Sequence, residues 1–79
     1  MDFKTYTQGL VDIINNYEHN PDEMVEKIID FYDTATQNNK LKMREIKHYY
    51  RIAKERLTQI SESHQLSAPS KLRIEMFEL

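Results

Sequence analysis

The chain has 79 residues and no cysteine, so it has room for one small hydrophobic core that neither disulfide bonds nor thiolate metal sites can stabilise. Its net charge of −2 and pI of about 5.9 differ from the strongly basic composition of most nucleic-acid-binding domains. The sequence has no apolar run near the roughly 20 residues that cross a bilayer, and no amino-terminal signal pattern. We therefore expect a single cytoplasmic domain that does not bind membranes.

Residues 3–19 carry the pattern of an amphipathic helix. Apolar side chains recur there at alternating spacings of three and four residues: Phe3, Tyr6, Leu10, Ile13 and Tyr17. This spacing places them on one face of a helix. We expect that face to pack into the core.

A second helix is predicted over residues 21–37. Asn20 is a suitable N-cap, Pro21 fits the first helical position, and Glu23 completes a capping box. The apolar face of this helix consists of Met24, Ile28, Phe31 and Ala35, and it is widened by Val25, Ile29 and Tyr32. The polar segment Gln37-Asn38-Asn39 that follows favours a turn.

The third predicted helix runs over residues 40–63. Its apolar residues again alternate at spacings of three and four: Met43, Ile46, Tyr50, Ala53, Leu57 and Ile60. Three helices joined by short turns favour antiparallel packing. The fold class is therefore predicted as all-α, a small three-helix bundle with helices at about 3–19, 21–37 and 40–63, and the bundle as residues 1–66.

The remaining residues, 67–79, form a C-terminal tail. After a polar break, Leu72, Ile74 and Met76 alternate with charged residues as in a β-strand. The spacing of Leu72, Met76 and Leu79 also fits a short helix. The sequence thus predicts either an extended or a short helical tail, docked on the bundle or on a partner.

The basic residues of the third helix are concentrated on one line. Residues 40–57 hold seven basic and two acidic residues, whereas residues 1–39 hold two basic and eight acidic ones. Five of the basic residues form a basic stripe at spacings of four and three: Lys40, Arg44, Lys47, Arg51 and Lys54. Such a stripe is either a solvated flank or the binding surface for an anionic partner, which is an acidic protein or a nucleic acid backbone.

The second helix carries the opposite charge on its polar side. Its acidic residues, also at helical spacing, form an acidic face: Asp22, Glu23, Glu26, Asp30 and Asp33. The helix dipole favours carboxylates near a helix N-terminus, so a solvated surface is one interpretation. The other is an interaction surface that mimics the spacing of phosphates.

Several apolar residues are candidates for partner contact. Leu41 and Ile52 project from the back of the third helix, and Tyr49 lies near them, where it and His48 could also stack on nucleic acid bases. The candidate apolar contacts are Leu41, Tyr49, Ile52, Leu72, Ile74, Met76 and Phe77. A homodimer formed through the surface around Ile52 is a further interpretation.

Catalytic chemistry has little basis in this sequence. Glu45 and His48 form a single Glu-x-x-His pair, whereas di-metal bundles use two such pairs and two more carboxylates. The chain has a single glycine, so a glycine-rich phosphate loop is not expected. We expect no catalytic residue, no cofactor and no metal, and hence not an enzyme.

These patterns lead to a functional hypothesis. The chain is interpreted as a non-catalytic protein-binding module: a small adaptor, inhibitor or immunity-type regulator of bacterial or phage character. Charged helix faces would steer the partner, and the apolar patch or tail would supply affinity. The alternative is a nucleic-acid-binding regulator that uses the basic stripe. The expected partner is another protein, with a nucleic acid or a second copy of the chain as alternatives.

Overall fold

The computed structural model describes residues 2–37 and 40–79, and within these ranges the chain forms four α-helices and no β-strand. The helices are α1 (Phe3–Asn16), α2 (Pro21–Gln37), α3 (Met43–Ser63) and α4 (Ala68–Glu75). The predicted all-α class is confirmed. The count is four rather than three because the tail adopts the second of its two predicted conformations, the short helix.

Local hydrogen bonds fix the junction between α1 and α2. The Asn20 Oδ1 atom accepts a hydrogen bond from the backbone N of Glu23 (3.3 Å), and Asn20 Nδ2 donates one to the Glu23 carboxylate (3.2 Å). The N-cap predicted at Asn20 is therefore confirmed. α1 ends at Asn16 and not at residue 19, because the chain has to turn before this cap.

The start of α3 also differs from the prediction. The Glu45 carboxylate accepts a hydrogen bond from the backbone N of Lys42 (3.1 Å), which makes Lys42 the N-cap. α3 therefore begins at Met43 and not at residue 40. Of the turn predicted before it, Gln37 is the last residue of α2, and Asn38 and Asn39 lie outside the described residues.

An aromatic cluster joins α1, α2 and α3. Tyr6 is fully buried, and its hydroxyl donates a hydrogen bond to the Tyr49 carbonyl (2.8 Å). Its ring stacks on those of Tyr49 (centroids 4.5 Å apart) and Phe31 (5.6 Å). The buried side chains of α3 are Tyr49, Ala53, Leu57 and Ile60, whereas Met43 is 60% exposed. The predicted apolar face of α3 is thus confirmed from Tyr50 to Ile60, whereas nearer the N-terminus Met43 is exposed and Tyr49 is the buried residue, because Tyr49 enters the aromatic cluster.

α4 packs against both α2 and α3. Ile74 and Phe77 are buried, and the Phe77 ring contacts the rings of Tyr50 (centroids 4.9 Å apart) and Tyr32 (5.1 Å). The Tyr50 hydroxyl also donates a hydrogen bond to the Phe77 carbonyl (2.6 Å). The tail therefore extends the hydrophobic core.

The buried tyrosines predict a loss of stability in alkali. Burial strongly raises the pKa of Tyr6 and also raises those of Tyr32, Tyr49 and Tyr50. Below about pH 10 each tyrosine is neutral in the folded and the unfolded chain; above it the unfolded chain ionises first. The free energy of unfolding should then fall by up to about 1.4 kcal/mol per pH unit because of Tyr6, with smaller contributions of the same sign from the other three tyrosines. Urea unfolding from about pH 8 to about pH 11 measures this, and an equally steep fall in Tyr6→Phe would contradict a role for Tyr6.

Gly9 marks a close approach of α1 to α2, because a Cβ atom there would overlap the tip of the Phe31 ring. Overpacking a core costs about 1–3 kcal/mol, whereas the higher helix propensity of alanine stabilises the helix by up to about 1 kcal/mol. We therefore expect Gly9→Ala to lower the free energy of unfolding by about 1 kcal/mol. Phe31→Leu removes the ring, and in that background we expect Gly9→Ala to be neutral or stabilising. A double-mutant cycle by urea unfolding measures the coupling. The same cost in both backgrounds would exclude the clash.

Candidate partner-binding surface

The structure divides the predicted basic stripe into an internal and an exposed part. Lys54 is half-buried, and its ammonium donates hydrogen bonds to the carbonyls of Ile74 (2.8 Å) and Phe77 (3.5 Å). A lysine in this position satisfies carbonyls at the C-terminal end of α4, where the helix dipole favours a cation. Lys54 therefore contributes to the fold. Lys40 is exposed but precedes the first residue of α3.

The exposed part of the stripe consists of Arg44, Lys47 and Arg51 on α3, and we call it the basic face. Spacings of three and four place these side chains on one side of the helix. Within residues 2–37 and 40–79, no carboxylate oxygen lies within 4.0 Å of the charged groups of Arg44 or Lys47. Their positive charge is therefore open to solvent and to a partner.

His48 lies beside Arg51 on the basic face. Its ring stacks on that of Phe3 (centroids 4.2 Å apart, 22° between planes), and its Nδ1 atom lies 3.0 Å from Arg51 Nη2. Because arginine is always a donor, Nδ1 is the acceptor in this contact. The interaction holds the Arg51 guanidinium close to α3. The stacking partner of His48 is thus Phe3 of α1, which sequence spacing alone does not indicate.

An open depression of about 520 Å³ lies between the side chains of the basic face. It is lined by Arg44, Glu45, Lys47, His48 and Arg51. Met43 is 60% exposed and lies one helical turn from Lys47, so it adds apolar surface at the N-terminal end of the basic face. Cationic groups on aliphatic stems next to an exposed thioether can bind an acidic surface that carries an apolar anchor.

Three of the five acidic-face residues make contacts within the fold. Asp22 accepts a hydrogen bond from the backbone N of Ser67 (3.0 Å) at the start of α4, and this contact, with the hydroxyls nearby, lowers the pKa of Asp22. Glu26 binds Arg73 of α4 through both carboxylate oxygens (2.9 and 3.0 Å). Glu23 belongs to the α2 cap described above. Asp30 and Asp33 are the exposed remainder, because docking of α4 occupies the first two turns of α2.

The predicted apolar contacts divide in the same way. Tyr49, Ile74 and Phe77 are buried, so they are not available at the surface, and Leu41 and Ile52 are half-buried against the core. The exposed side chains lie on α4 and just after it, and we call them the outer stripe: Leu72 (54% exposed), Met76 (71%) and Leu79 (57%). Leu72 lies within α4, and Met76 and Leu79 follow its last residue, whereas Ile74 and Phe77 face the core.

Neither a membrane span nor a metal cluster is found in the described part of the chain. Of the helices formed by residues 2–37 and 40–79, none is both long and apolar enough to cross a bilayer. Over the same residues, no three His, Asp or Glu side chains come together as metal ligands would. Glu45, the carboxylate of the Glu-x-x-His pair, binds the backbone N of Lys42.

Comparisons with known proteins identify no relative: no family model, no curated protein and no solved structure matches the chain. The interpretation of function therefore depends on the surfaces described above. Of these, the basic face combines exposed, aligned charge with an apolar neighbour.

Proposed function

We propose that the chain is a non-catalytic protein-binding module whose basic face binds an acidic surface of a partner protein. The observation that supports this most directly is the alignment of exposed cations on one side of α3. Lys54 and Arg73 bind carbonyls and a carboxylate within the chain, whereas Arg44 and Lys47 are exposed without a carboxylate in contact among the described residues. A fold that neutralises some cations and leaves an aligned set exposed has that set available for an external anion.

Binding has two physical contributions: electrostatic steering of the partner's acidic surface, and removal of water from apolar area at the contact. The positive potential over the basic face attracts an acidic surface and raises the association rate, an effect that salt screens. Met43 and the aliphatic stems of Arg44 and Lys47 then contribute apolar area. A small adaptor, inhibitor or immunity-type regulator of bacterial or phage character would act in this way.

Nucleic acid binding is the alternative because a phosphate backbone requires only aligned cations. The burial of the aromatic side chains favours a protein over a nucleic acid as the partner. Each of the eight is buried or half-buried: Phe3, Tyr6, Tyr17, Phe31, Tyr32, Tyr49, Tyr50 and Phe77. Single-stranded nucleic acids usually bind through exposed rings on which their bases stack. Tyr49 in particular, a candidate for such stacking, packs on Tyr6 instead.

The experiment that separates the two functions is a pull-down from lysate of the source cells, performed with and without nuclease. The bait is the intact chain, and the matched baits carry Lys47→Glu with Arg51→Glu or, as control, Lys4→Glu with Lys71→Glu. A protein that is retained after nuclease treatment, lost from the first variant and kept by the second supports the proposal. Recovery that disappears with nuclease assigns the basic face to nucleic acid, and recovery unaffected by either variant shows that the basic face is not the binding surface.

A further inference from the structure

A groove of about 300 Å³ lies between α2 and the C-terminal end of the chain. Its floor is apolar and largely aromatic, formed by the buried side chains of Ile29, Tyr32 and Phe77. The two rings meet edge to face, with centroids 5.1 Å apart and planes at 82°. None of the basic-face residues lines this groove, and its volume is within the range of about 300–1,000 Å³ that is typical of ligand sites.

The rim of this groove carries two exposed carboxylates, Asp33 of α2 and Glu78. Burial is the main reason for the raised pKa of Tyr32 and Tyr50, but Asp33 adds to the first shift and Glu78 to the second. Asp33 is thus close enough to act electrostatically on Tyr32 of the floor, and Glu78 on Tyr50, whose ring stacks on that of Phe77.

The cations near this groove are already engaged within the fold. The guanidinium of Arg73, which also lines the groove, is bound by both oxygens of Glu26. The Lys54 ammonium is directed at the carbonyls of Ile74 and Phe77. Asp33 and Glu78 therefore remain as the charges that are not balanced by a direct contact among the described residues.

We propose that this groove binds a cationic side chain of a partner protein, an arginine in particular. A planar guanidinium can form paired hydrogen bonds to a rim carboxylate while the aliphatic stem of the arginine lies over the apolar floor. Met76, which is 71% exposed, also lines the groove and adds apolar surface to it. The matching partner segment has an arginine flanked by apolar residues. This site differs from the basic face in its residues and in the sign of its charge, and it does not depend on the function proposed above.

A pair of small probes tests the charge requirement. N-acetyl-arginine methylamide is titrated into the 79-residue chain at low salt, and binding is followed by amide and side-chain NMR shifts. The matched probe is N-acetyl-citrulline methylamide, which has nearly the same shape but no charge. We expect shifts at Ile29, Tyr32, Asp33 and Phe77 with the arginine probe, and about tenfold weaker binding of the citrulline probe.

Two charge variants test the location of the site. Asp33→Asn with Glu78→Gln should weaken the arginine probe about tenfold. The control, Asp30→Asn with Glu75→Gln, removes the same charge from exposed residues of α2 and α4 that do not line the groove, and should leave the affinity unchanged. Equal binding of the two probes, equal loss in the two variants, or shifts that depend on protein concentration without any probe would overturn the proposal.

Discussion

Reversing two charges on the basic face, by Lys47→Glu with Arg51→Glu, is expected to weaken binding of the partner protein at least 100-fold, or by about 3 kcal/mol. The reason is that both the attraction during approach and the contacts in the complex change sign. Both residues are exposed, so the free energy of unfolding should change by no more than about 0.5 kcal/mol. Isothermal titration of the partner recovered by pull-down measures the affinity, and urea unfolding measures the stability.

The control for this variant has the same net charge. Each Lys or Arg to Glu change lowers the net charge by two. The formal net charge therefore goes from −2 to −6 in both double variants, Lys4→Glu with Lys71→Glu and Lys47→Glu with Arg51→Glu. Lys4 and Lys71 are exposed on α1 and α4. A control that loses as much affinity as the basic-face variant would show that net charge, and not the basic face, determines binding.

Truncation of Phe77 should have the largest effect on the fold. Phe77→Ala removes a buried ring that contacts Tyr32 and Tyr50, a loss of about 3–5 kcal/mol when such a ring lies in a core. An isolated helix as short as the eight residues of α4 is not stable in water. We therefore expect α4 to detach and unfold. Amide hydrogen exchange should show lost protection in α4, with a smaller loss in α1.

The neighbouring residue provides the control. Met76 is 71% exposed, so Met76→Ala should change the free energy of unfolding by no more than about 0.5 kcal/mol and leave the protection of α4 intact. If Phe77→Ala kept its protection in α4, the ring contacts would not be what holds this helix on the bundle.

The fold class could be predicted from the sequence because spacing of three and four is a local property of each helix. The Asn20 cap was predictable for the same reason, since its partner Glu23 lies three residues away. The alignment of the aromatic cluster was not predictable. Tyr49 and Tyr50 are adjacent in α3, and each is spaced by three or four residues from other apolar residues of that helix. Which of the two rings is buried depends on contacts with Phe3 and Tyr6 of α1, which lie far away in the sequence.

The exposure of the charged residues could not be predicted from the sequence either. Spacing aligned the basic and acidic residues, but it did not reveal which of them α4 would bind. Asp22 contacts Ser67, Glu26 contacts Arg73, and each pair is more than 40 residues apart in the chain. The groove with Asp33 and Glu78 on its rim also forms only when the tail docks. Long-range packing therefore decides which predicted site residues remain exposed.

Site-specific photo-crosslinking from position 43 tests the central claim most directly. Met43 is exposed beside the basic face and uncharged, so a benzophenone side chain there leaves Arg44, Lys47 and Arg51 in place. Val11 on α1, 36% exposed, is the control position. In nuclease-treated lysate of the source cells, we expect one protein to crosslink to position 43, not to position 11, and to be lost when Lys47 and Arg51 are changed to Glu. Equal crosslinking at both positions, or crosslinking to nucleic acid alone in untreated lysate, would contradict the basic face as a protein-binding surface.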